Sequence, residues 1–143
     1  MPRDRARDDR ERERLESLVN RLSDAELAQP LSDGWSVSAV LAHMAFWDRR
    51  AEVLIERWRR QGVTASTTDA NEINDGMKEQ WLALQPRVAA QIAVEAARAA
   101  DAAMDAVDEA FIREMAEKRA GVSIQRAEHR AEHLDQIEAA LAR

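Results

Sequence analysis

Three histidines are the only imidazoles in the chain, and their placement points to metal chemistry. His129 and His133 stand four residues apart in Ala127-Glu128-His129-Arg130-Ala131-Glu132-His133-Leu134, a stretch that is helical in pattern. Side chains at that spacing lie on one face of a helix, one turn apart. Neutral imidazole is a good ligand for zinc, nickel, iron and copper, and two on a rigid support form a chelating pair. A third donor has to come from elsewhere in the fold, and His43 is the one histidine left. The chain has no cysteine, which excludes a thiolate zinc site, a disulfide scaffold and a cysteine nucleophile.

Helical projection places the pair more closely. With His129 as origin, His133 lies about 40° round, and Leu134, Ile137 and Leu141 centre at about 110°. The histidines therefore flank the apolar stripe, where a site would sit in a groove with one coordination position open to a reactant. A histidine pair on a charged helix can also be idle in solvent, and a lone histidine can be a hydrogen-bonded core residue. Against this, all three sit at stripe edges and none falls in a loop. The string His129-Arg130-Ala131-Glu132-His133 also spells the H-x-x-E-H of inverted zinc peptidases. Only ten residues follow His133 to supply a further carboxylate ligand, and Glu132 points about 100° away from its neighbour. It reads more simply as a surface residue.

These side chains need helices to carry them. The chain has 143 residues, 45% apolar and 34% charged, with only 4 Gly and 3 Pro. That is the length and composition of one globular domain over residues 1–143, able to bury a core, and it favours helix over strand. After an Arg/Asp/Glu-rich start, Leu15, Leu18, Val19 and Leu22 mark a first helix over about 5–22. Ser23 to Glu26 has the form of a capping box for a short turn. Ser36 caps a second helix that runs to about Arg60 and stops at Gly62; His43 lies at the edge of its apolar arc. A helical pattern from Asp69 to Leu84 is broken at Pro86, and Val88 to Val107 form the third long helix, with a mostly alanine inner face. A short segment around Phe111 to Met115 follows. Ser123 is expected to cap the last helix, which runs to about Ala142. The expected architecture is all-α: a four-helix bundle with long connections after the second helix and around residues 108–122.

The net charge of −6 leaves no basic face for nucleic acid. No apolar run has membrane-spanning length and no signal-peptide core is present, so a cytoplasmic protein without a membrane partner is expected.

Asp33-Gly34-Trp35-Ser36, the apolar helix after it and His43, eight residues past the Trp, resemble the second-helix signature of the DinB/YfiT-like superfamily. His129, then Glu132-His133-Leu134 and Gln136-Ile137, resemble its last-helix signature, and the two occur in the family order. The resemblance implies a four-helix bundle with a long crossover, often homodimeric, and three histidine ligands for zinc, nickel or iron. Carried over position by position, these are His43, His129 and His133. Relatives are credited with low-molecular-weight thiol transfer, mycothiol-dependent isomerisation and hydrolase-like chemistry. Some mycothiol-dependent relatives carry Glu at the first position of the pair; with His129 this chain looks closer to the three-histidine branch.

The expected function is therefore that of a divalent-metal protein, a thiol S-transferase or hydrolase acting on a small molecule with a low-molecular-weight thiol as possible cosubstrate. The alternative is a metal-binding stress or interaction protein without turnover. Gln125, Arg126 and Gln136 project near the histidine face, and Asn71 and Glu72 could line a pocket. For each of the five, an ordinary surface residue is the favoured reading. Trp35, Trp47, Trp58 and Trp81 read as core and groove wall.

Overall fold

The computed structural model describes residues 2–143, and these hold helices and turns but no strand. The elements are α1 (Arg5–Arg21), α2 (Asp24–Leu27), a 3-10 turn (Ser32–Gly34), α3 (Val37–Gln61), α4 (Ala70–Ala83), α5 (Pro86–Asp105), α6 (Glu109–Glu117) and α7 (Arg126–Leu141). The four long helices α1, α3, α5 and α7 form the bundle, and α4 packs on the outside of α3.

Local chemistry explains most boundaries. The Asp4 carboxylate accepts from Arg7 N–H and starts α1. Ser23 and Glu26 close the capping box of α2. Ser36 Oγ accepts from Ala39 N–H at the head of α3, and Gly62 ends that helix at φ 88°, a conformation that L side chains resist. Leu84 and Gln85 are extended and Pro86 opens α5 at its first turn, so the chain breaks there, as the sequence suggests.

The expected Ser123 cap is not made. The helix begins later, with Gln125 at its N-cap and no side-chain bond from it. Asp8, from α1, accepts from Ala127 N–H at 2.7 Å instead. A carboxylate from a neighbouring helix satisfies this N-terminus and its dipole, leaving Ser123 Oγ to donate to the Gln125 carbonyl.

The interior is divided along its length. One apolar cluster joins Leu15, Leu18, Val40, Met44, Leu134 and Ile137, and a second joins Leu54, Ile55, Trp58, Met104 and Met115. Between them, along α3, α5 and α7, stand the buried charges Asp48, Asp101 and Arg130. The buried Ala89, Ala90, Ala93, Ala96, Ala97 and Ala100 give α5 a face of small residues, and α5 makes its most extensive contact with α3. No helix among the described residues is long and apolar enough to cross a membrane.

Candidate metal centre

His43 comes from the second turn of α3 and is 7% exposed; His129 and His133 come from α7 and are half-buried. Their Nε2 atoms form a nearly equilateral triangle, with sides of 3.0 Å (His43–His129), 3.1 Å (His43–His133) and 3.1 Å (His129–His133). The ring planes meet edge to face.

Protons alone do not satisfy this triangle. A neutral imidazole Nε2 carries either a hydrogen or a lone pair, so three such atoms can share at most two hydrogen bonds. His133 Nδ1–H donates to Gln136 Oε1 at 3.2 Å, which leaves the His133 Nε2 lone pair aimed at the centre. Converging lone pairs repel unless a cation lies among them. Ligand atoms about 2.0–2.1 Å from a tetrahedral zinc stand about 3.3–3.4 Å apart, so the observed sides are within a few tenths of an ångström of a coordination set. The donor set fits a divalent ion.

Burial keeps two of the imidazoles free of the proton that would compete with a metal ion. Burial pushes the His43 pKa down to about 4, with His133 adding to the shift. The Asn74 side chain opposes it weakly, without a hydrogen bond of proper geometry, and His43 Nδ1 is buried with no partner among the described residues. Burial pushes His129 further, to about 3, helped by His133, His43, Arg126 and Arg130. Both are therefore neutral at pH 7.

The triangle opens on a groove of about 570 Å³ lined by Trp35, Trp47, Arg50, Asn74, Arg126 and Gln136, among others. Trp35 and Trp81 pack edge to face against His43, with ring centroids 5.9 and 5.3 Å from the imidazole. Trp47 Nε1–H donates to Asn74 Oδ1 at 2.9 Å and fixes that amide on the wall. Arg50 donates to the Gly121 carbonyl and to the Ser66 and Thr68 hydroxyls, so it ties two loops together at the rim.

The other residues singled out from sequence divide. Gln136 touches His133, and Arg126 lies on the groove wall with its Nε bonded to Asp48 at 3.0 Å. Gln125 turns away from the groove and bonds the backbone of Asp4 and the Asp8 carboxylate. Asn71 and Glu72 are exposed and do not line the groove; their N–H groups are held by Asp69, the cap of α4. Asn74, one turn further along, takes the place expected of them. Glu132 is exposed at the rim of the groove. Trp58 and Trp81 are core, while Trp35 and Trp47 are half-buried on the groove wall.

Sequence reasoning missed Asp48, Arg50, Asn74, Asp101 and Arg130. A signal existed for two of them. Asp48 falls within the buried stripe Leu41, Met44, Ala51 and Ile55, and Arg130 within Ala127, Leu134 and Ile137. A charge at a stripe position is buried with a partner or does not fold.

The family model described as the mycothiol maleylpyruvate isomerase N-terminal domain matches residues 9–132, a span that holds His43 and His129 and ends one residue before His133. Neither the curated proteins nor the solved structures give a match. The chain belongs to the mycothiol maleylpyruvate isomerase N-terminal domain family, a helical family of the DinB/YfiT-like superfamily.

Proposed function

We propose that this protein is a divalent-metal-dependent enzyme that holds its ion with His43, His129 and His133. Its reaction would be thiol transfer or hydrolysis of a small molecule, with a low-molecular-weight thiol as cosubstrate in the first case. The observation that carries the reading is the triangle of Nε2 atoms at the mouth of an open groove. When bound, a zinc, nickel or iron(II) ion supplies a Lewis acid that makes a thiol or water nucleophilic near neutral pH.

The chain's own residues support that chemistry. Three neutral imidazoles leave the ion its full double charge, which a carboxylate ligand would reduce. Gln136 fixes the tautomer of His133. Trp81 and the groove-wall Trp35 pack edge to face against His43 and shield its ring from water. The groove has the size of a small-molecule site and mixes indole, amide and guanidinium walls. An open groove beside the donors favours turnover over a sealed binding site without reaction. The family name points to a mycothiol-type cosubstrate.

Elemental analysis of protein purified without a histidine tag tests the site. Close to one equivalent of a transition metal is expected, present or taken up on addition. Less than about a tenth of an equivalent, with no uptake of zinc or nickel, rejects it. His43→Ala and His129→Ala should each weaken binding by about 100-fold or more, because the three donors act together. Thiol transfer to an electrophile that is lost with chelator would place the protein among enzymes. A metal-loaded protein inactive with both thiol and hydrolytic substrates would favour the non-catalytic alternative.

A further inference from the structure

The leading end of α7 reaches the histidine site with little apolar surface to locate it. Its buried residues there are Arg126, Ala127 and Arg130; Leu134 and Ile137 come only later. Apolar burial is non-directional and an alanine offers little shape, so polar contacts set how this end of the helix is rotated and how far it slides.

Asp8 of α1 and Asp101 of α5 supply some of these contacts, and those made to α3 converge on one residue. Asp48 is 2% exposed and lies five residues after His43. Its Oδ1 accepts from Arg126 Nε at 3.0 Å, and its two oxygens take longer contacts of 3.4 Å from Arg130 Nε and Nη2. Arg126 precedes His129 by three residues and Arg130 follows it by one. One carboxylate near the first histidine thus grips α7 on both sides of the second. Arg130 does not swing with that grip, because its other edge forms a two-pronged pair with Asp101 of α5, both bonds 2.9 Å.

We propose that Asp48 is a positioning residue: by holding Arg126 and Arg130 it sets the register of α7 against α3, so that Nε2 of His129 and His133 meet Nε2 of His43. Its consequence for metal binding rests on the metal reading of the triad. Asp48 does not line the groove and bonds to none of the three imidazoles. Its effect passes through the helix that carries two of them.

Asp48→Asn and Asp101→Asn, made in the full chain, separate positioning from plain stabilisation. Each deprives Arg130 of one charged partner, so each lowers stability, but only the first cuts the link between α3 and α7. Cobalt(II) is the probe, since its visible bands report ligand number and geometry. Asp48→Asn should bind cobalt about 10–100-fold more weakly than the parent and with altered bands, the effect usual for a residue that orients ligands, while Asp101→Asn stays within about 2-fold. Equal weakening in both variants, or in neither, overturns the proposal. So does weaker binding by Asp48→Asn with unchanged bands, which marks a simple charge effect. Should Asp48→Asn not fold, Arg126→Gln is read in the same way, with binding about 3–10-fold weaker expected.

A metal-free measurement keeps the two readings apart. The His43 and His129 ring centroids are 5.0 Å apart, close enough for a nuclear Overhauser effect between ring protons. That effect should appear in the metal-free parent and in Asp101→Asn and vanish in Asp48→Asn. A parent that takes up no cobalt defeats the metal reading alone. Persistence of the ring contact in Asp48→Asn defeats the positioning role.

Discussion

Burial does for His43 and His129 what high pH does for a histidine in water: it removes the competing proton. Their pKa values near 4 and 3 lie below the value of about 6.5 that they have in an unfolded chain. The unfolded state therefore takes up protons first as the pH falls. The stability these groups contribute is fully present above about pH 6.5 and is lost progressively towards pH 4. Chemical denaturation of metal-free protein between pH 7 and pH 4 should show a steeper loss than in a His43→Gln/His129→Gln variant, which lacks both of these buried imidazoles. Parallel curves for the two proteins would contradict the burial argument.

At the scale of elements, the alanine face of α5 lets α3 approach closely enough to bring its histidine under α7. A methyl-sized side chain there cannot be enlarged without moving a helix. Ala93→Leu, at a position 1% exposed, should cost about 1–3 kcal/mol in urea denaturation. A second close approach is at the groove rim. Gly121 has φ 84°, and an added Cβ would collide with the Ser66 carbonyl oxygen of the facing loop. Most of this scale was legible in the sequence. The periodic apolar residues, Ser36, Gly62 and Pro86 locate α3, the break and α5, because caps and breakers act on their own neighbours. Ser123 misled, because the group that caps α7 is Asp8, more than a hundred residues away in sequence. Local rules do not see such a partner.

Over the whole molecule, a layer of charge separates two apolar clusters and touches all four bundle helices: Asp8 and Arg12 from α1, Asp48 from α3, Asp101 from α5, and Arg126 and Arg130 from α7. Arg130 is fully buried at its centre. Replacing a whole buried network by apolar residues can be neutral, but removing one member strands the others. Arg130→Met should therefore destabilise by about 3–5 kcal/mol, read from the shift in the urea midpoint. A loss of about 1 kcal/mol or less would show that the layer is wetter than its burial suggests. The three histidines were legible because histidine is rare in the chain and sits at stripe edges. The layer that holds their helices was not, because Asp and Arg are abundant here and each partner pair joins distant segments. Asn71 and Glu72 show the same limit: helical periodicity finds the right region but not the residue, Asn74, that turns inward.

The packing of two indoles against His43 gives the site an optical reporter. Trp35 and Trp81 lie within 6.0 Å of each other and of that imidazole, whereas Trp58 belongs to the far cluster. An ion with an open d shell, such as nickel(II) or copper(II), quenches emission from indoles this near, while closed-shell zinc does not. Titration should dim the intrinsic fluorescence with nickel and leave it bright with zinc, and zinc added afterwards should restore it by exchange. The fold thus supplies a label-free signal for whether an ion enters the site and of which kind.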